Sequence, residues 1–248
     1  MRQLRTAGIS TLLVPALLLL LASCADAPVD DGKIPVTTRS DEARALFLEA
    51  RDLNDRLRGV EALPLLERAV GHDPTFAQGH WLLAQVQPTA AGFFANLEQA
   101  RVHAASASQG ERWLIEATDA AVNGDPAGQG EILQQLVAAF PEDERAHTLL
   151  GTYFFGQQRW AEALSEYERA IAIAPEFSPP YNQLGYAYRF TERFAEAESA
   201  FRKYIELIPD DPNPYDSYAE LLLKLGRYED SIAQYEKALE QQSTFAAS

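Results

Sequence analysis

Four histidines, one cysteine and 36 carboxylates are the groups with which this sequence of 248 residues could do acid, base, metal or nucleophilic chemistry. Their spacing argues against all of it. A zinc site on a helix places paired ligands one turn apart, and His72, His80, His103 and His147 form no HExxH pair and no cysteine-rich knuckle. The run Asn123-Gly124-Asp125-Pro126-Ala127-Gly128-Gln129-Gly130 has the glycines of a phosphate cradle, but no strand precedes it and no lysine follows, so it reads as an interhelical loop. No GxSxG elbow occurs, and Cys24 is the only thiol. The carboxylates are spread along amphipathic stretches as a solvated outer face would spread them. No catalysis, cofactor or metal is expected.

Cys24 is instead placed for covalent anchoring. Arg2 and Arg5 precede an uncharged stretch dominated by Leu12 to Leu21, and the stretch closes on Leu21-Ala22-Ser23-Cys24. This resembles the lipobox of bacterial lipoproteins, in which small residues fit the signal peptidase and the thiol is acylated. The resemblance implies a signal peptide over 1–23, diacylglyceryl and acyl chains on Cys24, and stable membrane attachment, since more than one chain is needed for that. Ala25 follows the cysteine and Asp26 comes one place later, which favours the periplasmic face of the outer membrane. The competing reading is an uncleaved anchor, because roughly 20 apolar residues can span a bilayer. Residues 24–40, with Pro, Gly, Asp and Thr and no apolar period, read as a lipidated cysteine and a flexible tether.

The formal charge is −15, and without the two arginines of residues 1–23 it becomes −15 − 2 = −17. Such a surface repels phosphate backbones and anionic headgroups, so nucleic acid is not an expected partner, and membrane contact is expected through the lipid alone.

From Ser40, a helix-capping residue type, the sequence repeats itself. His147 to Pro175, Tyr181 to Pro209 and Tyr215 onward superimpose at a spacing of 34, with Gly151, Gly185 and Ala219 on a first helix and Ala163, Ala197 and Ser231 twelve places later on a second. Minimal side chains at these places let two helices cross closely, and Pro175 and Pro209 end the second helices. This pattern resembles the tetratricopeptide repeat. The resemblance implies an all-α, right-handed α-solenoid of about six antiparallel helix pairs over 41–248. The units fall at about 43–76, 77–109, 110–143, 144–177, 178–211 and 212–245. Units two and three are degenerate: Pro88 interrupts a first helix, while Asn96 and Gln129 stand where the second helix wants a small residue. His80 and His147 occupy the bulky place near the start of a first helix and are expected to pack there.

Such solenoids bind ligands on a concave face lined by first helices. All ten tyrosines lie between Tyr153 and Tyr235, and the repeat itself accounts for eight, leaving Tyr153 and Tyr186. One residue beyond Gly185, Tyr186 is rotated about 100° from the crossing toward the concave face. Its neighbours there are Asn182 and Arg189, and the equivalent places are Thr148, Thr152 and Phe155 before it and Asp216, Glu220 and Leu223 after it. These residues form the expected partner-binding patch. The chaperone-type carboxylate clamp of the family is not reproduced, because the comparable face carries Phe47 and Arg51 in the first unit and Asp216 and Glu220 in the last. The function expected is a membrane-tethered protein-interaction scaffold of the cell envelope, such as an assembly factor for outer-membrane proteins or secretins. The alternative is an adaptor of peptidoglycan enzymes.

Overall fold

Prolines, caps and left-handed turn residues parcel the chain into helices of nearly uniform length. The computed structural model describes residues 32–243, and the expected signal peptide and Cys24 lie outside the described residues. Twelve α-helices and no strand occur among those residues: α1 (Asp41–Asp55), α2 (Gly59–His72), α3 (Ala77–Gln85), α4 (Ala90–His103), α5 (Gln109–Val122), α6 (Pro126–Ala139), α7 (Glu144–Gly156), α8 (Trp160–Ile173), α9 (Pro179–Phe190), α10 (Phe194–Leu207), α11 (Pro212–Lys224) and α12 (Tyr228–Gln241). Ser40 begins the array as expected, its hydroxyl accepting the Ala43 amide. Thr89, Ser108, Asp125, Asp143 and Asp211 cap later helices in the same way, each satisfying an amide that the helix leaves without a partner. Five of the six turns inside the pairs use a residue with positive φ, at Leu57, Gly124, Gln158, Glu192 and Gly226.

Each odd-numbered helix packs on the even-numbered helix that follows it, and each pair packs on the next, giving an α-solenoid of six units. The small residues mark the crossings. Ala50, Ala84, Ala117 and Ala219 are buried, and a methyl group added at Gly151 or Gly185 would collide with the ring of Tyr167 or Phe201 sixteen residues on. The first-helix histidines and tyrosines also repeat a bond: His80, His147, Tyr181 and Tyr215 each reach the carbonyl of the proline six residues earlier, at 2.9–3.2 Å. That bond holds the end of one unit to the start of the next.

The degenerate units are explained by compensating partners. Ending at Gln85, before Pro88, α3 has only nine residues. Asn96 fills its place because its amide group bridges the Gly92 carbonyl and the His80 ring. In α6 the close approach falls on Gly130 rather than at Gln129, and the Tyr153 phenol lies against it. Tyr153 thus replaces bulk that the third unit lacks.

The described part of the expected flexible tether is a strap bound along the ends of the first helices. The Ile34 amide donates to Asp143 at 2.8 Å, the Thr37 amide to Glu111 at 2.7 Å and the Arg39 amide to Asp73 at 3.0 Å, while Lys33 pairs with Glu144. Ile34 and Val36 pack on the core beside them. An extended chain leaves its amides free for partners, and acidic helix starts spaced one unit apart supply them. A free spacer is therefore not what Lys33 to Arg39 form. Across the solenoid, Arg145 of α7 donates to Asp55 of α1 at 2.7 and 3.0 Å, tying the first unit to the fourth.

Candidate functional site

The first helices α9 and α11 bring five of the expected patch residues together. Tyr186 leaves α9 with its ring edge-on to Phe201, and its hydroxyl lies 3.3 Å from both the Ser217 hydroxyl and a Glu220 carboxylate oxygen on α11. Arg189, one turn further along α9, donates to the same Glu220 oxygen at 2.9 Å and stands over the Tyr186 ring at 5.8 Å. Burial pushes the Tyr186 phenol up to about 12, so it stays protonated as a donor. The patch was expected to combine an aromatic floor, an amide, one arginine and a pair of acids. Within it Arg189 is neutralised by Glu220, because adjacent first helices place these side chains opposite each other.

What the pair leaves over is a set of acceptors. Asn182 and Asp216 are 4% and 3% exposed, and each has one side-chain oxygen buried without any hydrogen-bond partner. They stand in equivalent places, 34 residues apart, on neighbouring helices. Burial, and then the nearby Glu220 charge, raise the Asp216 carboxyl from 3.8 to about 6. An orphaned buried acceptor costs free energy until a donor arrives, and two at equivalent places on successive first helices fit a ligand carrying N–H or ammonium groups. The expected list omitted Ser217 and Tyr235. Ser217 is reached by Tyr186, and the partly exposed Tyr235 of α12 lies near enough to Asp216, Glu220 and Arg189 to feel their charges.

The remaining candidates are not part of this cluster. Thr148 and Thr152 use their hydroxyls on carbonyls of their own helix, Glu144 at 2.7 Å and Thr148 at 2.9 Å. They line different cavities. Thr152 borders one of about 270 Å³ with Trp81, Thr118 and Tyr153, and Thr148 borders one of about 140 Å³ with Arg51, Arg145 and Phe177. Phe155 belongs to a ring cluster in which Trp160 and Phe190 stack at 5.4 Å, with Phe155 edge-on to both. The sequence signal for that cluster was the pair Phe155 and Phe190, which falls outside the repeat's own aromatic places. No group of three or more potential metal ligands occurs among the described residues.

The comparisons agree with this architecture. Models described as tetratricopeptide repeat match residues 116–177, 178–211 and 213–245. No curated protein matches the chain in sequence. Among solved structures, the chain is similar to PilW, described as a widely conserved type IV pilus biogenesis factor, at 15% identity and a TM-score of 0.53, over 84% of this chain and 96% of that one. It is also similar to the Cut9–Hcn1 hetero-tetramer of the APC/C at 19% identity and a TM-score of 0.58, over 83% of this chain and 44% of that one. The thermophilic TPR protein TTC0263 of Thermus thermophilus is 22% identical with a TM-score of 0.49, over 82% of this chain and 92% of that one.

Proposed function

The chain belongs to the tetratricopeptide-repeat family, and we propose that it is an envelope scaffold that holds a segment of a partner protein on the face formed by α9 and α11. The observation that carries the reading is the pair of buried, unpartnered oxygens of Asn182 and Asp216 beside the Tyr186–Arg189–Glu220 network. The segment bound there donates hydrogen bonds to both oxygens and lays apolar surface on the Tyr186 ring. The lipobox-like Leu21-Ala22-Ser23-Cys24 supports attachment through Cys24 at the periplasmic face of the outer membrane. A scaffold so placed acts as an assembly factor for outer-membrane proteins or secretins, presenting one envelope protein to another at the bilayer surface. The reading requires neither a cofactor nor an enzyme activity.

The test is affinity capture from detergent-solubilised envelope with the wild-type chain and a Tyr186→Ala/Arg189→Ala double variant, both shown to be folded by circular dichroism. The reading expects a specific envelope protein on the wild type and its loss from the variant. The same proteins on both chains would refute the site. Radiolabelled palmitate incorporation that vanishes in Cys24→Ala tests the anchor separately.

A further inference from the structure

The strap reveals how the edge of this solenoid recognises an extended chain. At Asp143, the cap of α7, one carboxylate oxygen accepts the Ala146 amide of its own helix at 2.8 Å, and the other accepts the strap's Ile34 amide at 2.8 Å. Around that bond, Ile34 lies against Phe140 at the end of α6 and Gly110 at the start of α5, where an added methyl group would meet both side chains. Asp211 is the equivalent cap two 34-residue periods later, since 143 + 68 = 211. One of its oxygens accepts the Asn213 amide at 3.0 Å, as the capping role requires. The other is buried and has no partner, although the residue is only 3% exposed. The equivalent of Phe140 is Ile208, since 140 + 68 = 208, and that of Gly110 is Ser178.

Asp211 and Ile208 border a cavity of about 140 Å³ that is completed by Leu207, Pro209, Asp210, and Arg56 and Arg58 from the α1–α2 turn. That volume takes one short side chain, and charged groups make up much of its wall. The two arginines do not discharge the Asp211 oxygen: Arg58 is paired with Glu61, and Arg56 makes no ion pair with Asp211. Burial raises the Asp211 carboxyl, as expected of an acid short of donors.

We propose that the α10–α11 edge is a second binding site, in which Asp211 accepts the main-chain N–H of an extended partner peptide that lies against Ile208 and places one short side chain in the cavity. The strap occupies the equivalent edge at Asp143 intramolecularly and leaves this one for a separate molecule. The site is distinct from the α9–α11 face of the proposed function, and either can fail without the other. The acidic edge makes the bound segment neutral or basic rather than acidic, since Asp210 and Glu61 offset the arginines.

The probe is the strap's own sequence in trans, the labelled peptide Lys-Ile-Pro-Val-Thr-Thr-Arg, titrated by fluorescence anisotropy into the full chain in detergent micelles. Saturable binding is expected, weakened about tenfold or more by Asp211→Asn, which still caps α11 but replaces the free oxygen with an amide NH₂. Tyr186→Phe, which alters only the α9–α11 face, should leave peptide binding as in the wild type. The proposal is overturned if the wild type does not bind, if Asp211→Asn binds equally well, or if binding responds to Asp143→Asn instead, because the peptide would then be competing for the strap's own edge. Sedimentation of the unliganded chain completes the test. A dimer that dissociates in Asp211→Asn would give the site to a second copy and overturn the assignment to a partner.

Discussion

Replacing Asp216 by asparagine separates the cost of the patch from its use. Asp216 is almost fully buried, one of its oxygens has no donor, and burial together with Glu220 raises its carboxyl from 3.8 to about 6. The direction fixes the sign. A carboxyl that is harder to ionise in the fold than in the unfolded chain opposes folding wherever it is charged. Its contribution is most favourable below the unfolded value near pH 4 and is lost as pH rises through about 6. At about 1.4 kcal/mol per tenfold change in proton affinity, the charged form costs about 3 kcal/mol at pH 8 and about half that at pH 5. Asp216→Asn removes the charge with almost no change in shape, so it should stabilise the unliganded chain by an amount of that order at pH 8 and by about half as much at pH 5. Urea unfolding of both chains at the two pH values measures it. The partner should nevertheless bind the variant more weakly, because an anionic acceptor has become a neutral amide. Equal stabilisation at both pH values, or destabilisation at pH 8, would refute the reasoning, since the cost would then not be electrostatic.

Other perturbations follow from the packing and the strap. Gly185→Ala drives a methyl group into the buried Phe201 ring and should destabilise by about 1–3 kcal/mol, measured as a lower urea midpoint with unchanged slope. Gln158→Gly removes a side chain held at φ 58° and should stabilise by about 0.5–1 kcal/mol in the same assay, the relief of left-handed strain exceeding the added chain entropy. Asp143→Ala loses both a helix cap and the Ile34 bond, so a cost of about 3 kcal/mol and faster proteolysis around Lys33 are expected, against about 1 kcal/mol for the exposed cap Asp125→Ala.

The solenoid was legible because its crossings require residues with almost no side chain, and Gly151, Gly185 and Ala219 recur at the period that this demands. Where one partner compensates for another, the pattern alone misled: Asn96 is in place because of His80, and Tyr153 because Gly130 sits one residue from the expected position. Periodicity along a helix placed Tyr186 on the right face. It could not show that Arg189 would be neutralised by Glu220, because that contact depends on how far α11 is offset from α9. The strap was hidden for a different reason. Its bonds are made by backbone amides of Ile34, Thr37 and Arg39, which no side-chain pattern encodes, and only the apolar Ile34 and Val36 within the polar spacer hinted at attachment.

The central claim is that the face of α9 and α11 holds the partner, and crosslinking at that face tests it most directly. A photoreactive amino acid is introduced in place of Tyr186, or in place of the exposed Glu196 on α10 as a control, and the chain is irradiated in intact envelope. The account predicts one discrete adduct from position 186, diminished when Asp216→Asn is added, and none from position 196. An adduct from position 196 alone, or one from position 186 that is indifferent to Asp216→Asn, would contradict it.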